Sequence, residues 1–118
     1  MFEETEVVQG TILCAASAYE RKYYLNPEFE GLPTGIKEEL QILCVLYTAD
    51  IGGILTLHFD EDGNLLLHTT ARENDFLYDE IGSVLKIKQI QAEKRELLEG
   101  LELYFKAAFL GEDISEEV

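Results

Sequence analysis

Positive charge is what this chain has least of. Nine lysines and arginines stand against twenty-four aspartates and glutamates, a net charge of −15 with an isoelectric point near 4.3. A polyanion of that size repels phosphate backbones and anionic lipid surfaces. The expectation is no nucleic-acid partner and no membrane partner, while a basic protein would suit the charge. Long apolar runs are missing as well. The longest, ILCVLY, has six residues, where a membrane span needs about eighteen. The opening MFEETEVVQG is acidic and has neither the basic nor the apolar region of a secretory signal. Cysteine is nearly absent. Cys14 and Cys44 share no CxxC spacing, and each lies in an apolar segment, so they read as reduced, buried thiols of a cytoplasmic protein. There is no GxSxG, no Gly-rich phosphate loop and no Walker-type GKS/T, and no cofactor is expected.

What is present is enough for a core. A chain of 118 residues with 47% apolar content is expected to form a single domain over 1–118, with 1–4 and 112–118 frayed. The alternation in ILTLHFDEDGNLLLHTTA predicts a β-hairpin, with Gly63 in the left-handed position of a type I turn and bulge. Pairing Phe59 with Leu65 puts Leu55, Leu57, Phe59, Leu65, Leu67 and Ala71 on a dry face. Thr56, His58, Leu66, His68 and Thr70 fall on a wet one, with both histidines accessible to solvent. Ile36, Leu40, Leu43, Cys44, Tyr47 and Ile51 follow a helical stripe between Pro33-Thr34 and Gly52-Gly53, although LQILCVLY alone also fits a buried strand.

The stretch ERKYYLNPEFEGLP is the chain's oddest. Ile12, Ala16, Tyr19 and Tyr23 recur at helical spacing, which predicts a helix over residues 11–25. Arg21 and Lys22 would then solvate its C-terminal end, and Asn26-Pro27 would stop it. The alternative for the same residues is an anion site built from Arg21, Lys22 and the tyrosine hydroxyls. Downstream, residues 75–110 read as helical throughout, capped by Asn74 or Asp75. The apolar face changes frame, from Leu77, Ile81, Val84 and Leu85 to Ile87, Ile90, Lys94, Leu97, Leu101, Tyr104 and Ala108. A straight helix of that span would be roughly 54 Å long, against a radius of gyration of about 13–14 Å for a compact chain of this size. The helix must break near Gly82 to Gln91 or project onto a partner. The fold class is therefore α+β, with helices on one face of an antiparallel hairpin or short meander. Because a lone hairpin is marginal, it needs a third strand, from Thr5–Val8, from 41–48 or from a second chain.

The constellations that could carry chemistry are weak. DEDGN fails as an EF-hand loop because Gly63 at position 6 puts His58 at position 1 and Thr69 at position 12. His58 and His68 lie diagonally on one strand face, but the hairpin itself supplies that face with no further metal ligand. Asp75 and Asp79 at i, i+4 could hold Mg²⁺, yet they also suit a helix start. Glu93, Glu96, Glu99 and Glu102 recur every three residues and do not converge on one face, so they form no second acidic pair.

Three phrases, KYYLNPEFEGLP, VLYTADIGGIL and YDEIGSVLKIKQIQ, carry a resemblance over roughly residues 10–112. The chain resembles a family of small acidic hypothetical proteins, a domain of unknown function, from Clostridia-like anaerobic bacteria. The resemblance implies a bacterial cytoplasmic origin and no activity, and it transfers no site residues. The leading expectation is a non-enzymatic interaction module that self-associates as a homodimer through Leu97, Leu101 and Tyr104. The alternatives are an acidic inhibitor or immunity-type protein on a basic partner, using Glu93, Glu96, Glu99 and Glu102, and last a small metal-dependent enzyme at Asp75 and Asp79.

Overall fold

Residues 54–70 fold as their alternation dictates. The structure, a computed structural model, describes residues 10–111. Four antiparallel strands, β1 (Thr11–Ser17), β2 (Lys22–Leu25), β3 (Ile54–Phe59) and β4 (Leu65–Thr70), form one sheet in the order β2-β1-β3-β4. β3 and β4 pair Phe59 with Leu65, Leu57 with Leu67 and Thr56 with His68, the register expected. Gly63 sits at φ 87, and its N–H donates to the Asp60 carbonyl at 3.1 Å. The Asp60 carboxylate accepts from the Asn64 and Asp62 N–H groups. The bond from the Asn64 backbone leads in holding that carboxyl below the usual carboxylate range.

The three helices are α1 (Thr34–Ile51), α2 (Glu80–Glu93) and α3 (Arg95–Ala108). The apolar stripe of residues 36–51 therefore resolves to helix, and residues 41–48 supply no strand. Leu40, Leu43, Cys44 and Tyr47 of α1 are buried against a core that includes Cys14, Ala16, Leu55, Leu57 and Phe59. Cys14 and Cys44 are free, fully buried thiols 3.8 Å apart. The hydrogen bond to Cys14, and then burial, push the Cys44 thiol well up. The architecture is α+β, as expected. The expected strand at Thr5–Val8 and the expected frayed ends at 1–4 and 112–118 lie outside the described residues.

Two helical expectations are corrected. Residues 11–25 are not a helix but the hairpin β1–β2, and this hairpin supplies the strands that the lone β3–β4 pair lacked. β1 lies between β2 and β3, so Leu13 through Ser17 are all buried and no period of two is visible. A register shift between Ile12 and Cys14 disturbs the alternation further. The turn, Ala18–Arg21, contains neither Gly nor Pro, and Arg21 alone takes the left-handed conformation, at φ 54. The helix expected over 75–110 starts later and breaks elsewhere. Asp79, not Asn74 or Asp75, is the N-cap, accepting from Gly82 N–H at 2.8 Å. The break falls at Lys94, at φ −110 and ψ 25. Turning there brings Ile90 of α2 and Leu97, Leu98, Leu101 and Phe105 of α3 onto one core.

An aromatic stack holds α3 to the sheet. Phe59 and Phe105 lie face to face with centroids 4.2 Å apart, and Phe109 stacks on Phe105 and on Phe29 at 4.9 Å each. Phe29 belongs to a short 3-10 turn at Pro27–Phe29, set by Asn26, whose side chain accepts from Glu28 N–H and donates to the Ile12 carbonyl.

The α1-to-β3 connection depends on Gly53, at φ 72, where an added Cβ would lie 2.7 Å from the Thr70 carbonyl oxygen. Gly53→Ala should cost about 2 kcal/mol or more, since left-handed strain alone is roughly 1–2 kcal/mol. Urea unfolding at equal slope measures this, and an unchanged midpoint would show that the connection relaxes freely.

Candidate interaction surface

The sequence of α2 contains two apolar stripes, and only one meets the body. Ser83 and Ile90 are buried and Ile87 packs against the core. Ser83 is fixed by hydroxyl bonds: its Oγ lies 2.8 Å from the Tyr47 hydroxyl and 2.9 Å from that of Tyr78, and the two tyrosine hydroxyls are 3.2 Å apart. Burial raises the Tyr47 pKa well above its ordinary value, so its proton stays in this network. Lys86 Nζ reaches Asp50 at 3.5 Å, and Lys94 Nζ reaches Glu39 at 3.3 Å. These contacts lay α2 antiparallel to α1.

At about 100° per residue, Ile81 and Leu85 fall on the face away from Ser83 and Ile90, and Val84 on the flank beside it. That face is open to water: Ile81 is 76% exposed, and Phe76 and Leu77, just ahead of the helix, are 91% and 93% exposed. Scattered exposed leucines are ordinary, but an apolar helix face continued by a bare Phe and Leu is a candidate interaction surface.

The described elements lie within residues 10–113, which match the model of DUF6145, a family of unknown function. The chain belongs to that family. No curated protein and no solved structure matches it. The DUF6145 match thus covers α2, its outer face and every candidate residue considered below.

Within this DUF6145 domain, Leu97 and Leu101 face the chain's own core. Tyr104 is half-buried, 6.4 Å from the Phe29 ring. The three share the wall of a groove of about 220 Å³ with Leu32, Pro33 and Ile36. Their apolar area is thus largely spent within the chain. Asp75 and Asp79 do not pair on a helix. Asp75 accepts from the Tyr19 hydroxyl and from Leu77 N–H, while Asp79 caps Gly82. Tyr19 has its pKa raised by burial and by Asp75, and its ring lies 4.4 Å under the Arg72 guanidinium. Glu102 accepts from Leu65 N–H at 2.8 Å, whereas Glu93, Glu96 and Glu99 are exposed.

His58 and His68 share a face, with ring centroids 6.3 Å apart. The expectation that both are accessible is corrected for His58, which is 6% exposed. β3 is an inner strand, and Ile12 and Leu66 flank His58 from both sides. Among the described residues, no group of three or more His, Cys, Asp or Glu could hold a metal ion. No helix there is long and apolar enough to cross a membrane.

Sequence reasoning saw Leu77, Ile81, Val84 and Leu85 as a stripe but gave it no role, and it missed Phe76. The frame change was the available signal, since only one of two stripes on a single helix can face the core.

Tyr47→Phe should destabilise the protein by about 1 kcal/mol, the ordinary net value of a buried hydrogen bond, and Ser83→Ala by about 1–3 kcal/mol because it removes two hydroxyl bonds at once. Equilibrium urea unfolding of both variants is the check. Neutral effects would mean that apolar packing alone orients α2.

Proposed function

We propose that this chain is a non-enzymatic interaction module that associates with a second copy of itself through the outer face of α2. The observation that carries this reading is the exposed run Phe76, Leu77, Ile81, Val84 and Leu85. Because Leu97 and Leu101 serve the chain's own core, self-association is assigned to α2 rather than to α3.

The local charge pattern of α2 suits a second copy as the occupant. A net −15 opposes self-association, but α2 carries Lys86 and Lys88 near its middle and Asp79 and Glu80 at its start. Two copies of α2 packed antiparallel about a two-fold axis near Val84 set Lys88 of each opposite Glu80 of the other. Opposite charges then rim an apolar centre, the arrangement of a specific interface. Full burial of Ile81, Val84 and Leu85 contributes about 1.5–3 kcal/mol each. Counted over both copies and discounted for area already covered, the gain is on the order of the 4–15 kcal/mol that association costs. The dimer is accordingly weak and concentration-dependent.

A basic protein partner is the second reading, favoured by exposed Glu93, Glu96 and Glu99. Salt separates the two. Screening strengthens the pairing of two like-charged copies and weakens attachment to a basic partner. Light scattering over a concentration series should show a monomer–dimer equilibrium that shifts toward dimer as salt rises. Leu85→Glu should give a folded monomer with an unchanged urea midpoint. A wild-type chain that stays monomeric at high micromolar concentration and high salt would reject self-association.

A further inference from the structure

With residues 11–25 folded as a hairpin, Arg21 and Lys22 no longer solvate a helix end, and their role reopens. They sit where the β1–β2 turn meets α1, on a cleft of about 410 Å³, a size that suits a small ligand rather than a macromolecule. Ser17, Gln41 and Thr48 give its wall polar atoms, and Val45 and Ala49 give it an apolar side. In a chain with twenty-four acids, no aspartate or glutamate lines it.

We propose that this cleft binds a small organic anion, a carboxylate or phosphate monoester carrying an apolar group. Four other cations are occupied: Lys37 pairs with Glu30, Lys86 with Asp50 and Lys94 with Glu39, and Arg72 lies over Tyr19. Arg21 and Lys22 are exposed and have no ion-pair partner among the described residues. An arginine fork beside an ammonium is the donor set that grips an oxyanion. Val45 and Ala49 on α1 would receive the apolar body.

Arg21 also holds the left-handed position of its turn, at φ 54, where glycine or asparagine would sit without strain. A cation kept at a strained position is consistent with a binding role. The tyrosine hydroxyls are not part of the site. Tyr23 lines the cleft, but its hydroxyl is buried. Burial first, then the nearby Cys14 and Cys44 thiols, push its pKa far up.

The test is a ¹H–¹⁵N NMR titration of the full chain with phenyl phosphate, benzoate, inorganic phosphate and neutral benzyl alcohol. Phenyl phosphate or benzoate should give saturable shifts confined to Ala18, Arg21, Lys22, Gln41, Val45 and Ala49, weakening as salt rises. The double variant Arg21→Gly with Lys22→Ala should bind at least about tenfold more weakly, as loss of charge-assisted bonds requires. Glycine suits the turn, so the variant's urea midpoint should not fall, which keeps lost binding distinct from lost folding. Absence of saturable shifts with every anion up to about 10 mM, well above a millimolar Kd, would overturn the site. So would equal response to benzyl alcohol, or unchanged binding by the double variant. Inorganic phosphate binding as tightly as phenyl phosphate would overturn the apolar part of the proposal.

Discussion

The hydroxyl triangle of Tyr47, Ser83 and Tyr78 decides which way α2 faces. A helix on a protein surface can roll about its axis until its better apolar stripe meets the core. α2 has two such stripes, Ile87 with Ile90 and Ile81 with Val84 and Leu85. The Ser83 hydroxyl, 2.8 Å from Tyr47 and 2.9 Å from Tyr78, stands on the face of Ile87 and Ile90. Rolling the other stripe inward would break both bonds to Ser83, leaving the two tyrosine hydroxyls to each other, and break Lys86–Asp50 at once. Each hydrogen bond lost costs a net of about 0.5–1.5 kcal/mol, so one polar group offsets part of the apolar gain that a roll would bring.

The body beneath α2 is complete without its outer stripe. Phe29, Phe59, Phe105 and Phe109 stack into one block that joins the 3-10 turn, the central strand and α3. The turn at Lys94 makes this possible, because it lets α3 fold onto the sheet while α2 stays along α1. The expectation that Leu97, Leu101 and Tyr104 bind a partner assumed a helix projecting from the body. Once the chain bends, Leu97 and Leu101 pack in the body's own core with Tyr104 half-buried beside them, while Phe76, Leu77, Ile81, Val84 and Leu85 stay exposed.

Legibility in the sequence followed local determinism. The β3–β4 register could be read residue by residue, because alternation and a glycine turn both act within a few positions. α1 could be read from its stripe and its Gly52-Gly53 stop. The β1–β2 hairpin could not. Its strand has both faces covered over residues 13–17, its turn hides a left-handed arginine where a glycine would have signalled it, and Ile12, Ala16, Tyr19 and Tyr23 fall at helical spacing by coincidence. His58 looked wet because alternation reports which face a side chain is on. Its burial depends on neighbouring strands that the sequence does not announce. Of the candidate surface, the stripe was visible, but its direction rests on Ser83, a small polar residue with no signal of its own. The Arg21–Lys22 cleft was visible as an oddity of charge, and only the hairpin places it against α1.

The proposed self-association depends on the rotation of α2 about its own axis. Intermolecular NOEs in a sample mixed from ¹³C-labelled and unlabelled chains test that dependence most directly. The expected contacts join the methyl groups of Ile81, Val84 and Leu85 to the same residues of the other copy. A dimer whose intermolecular contacts arise instead from Ile42 and Leu46 of α1, or from Leu66 of β4, would contradict it.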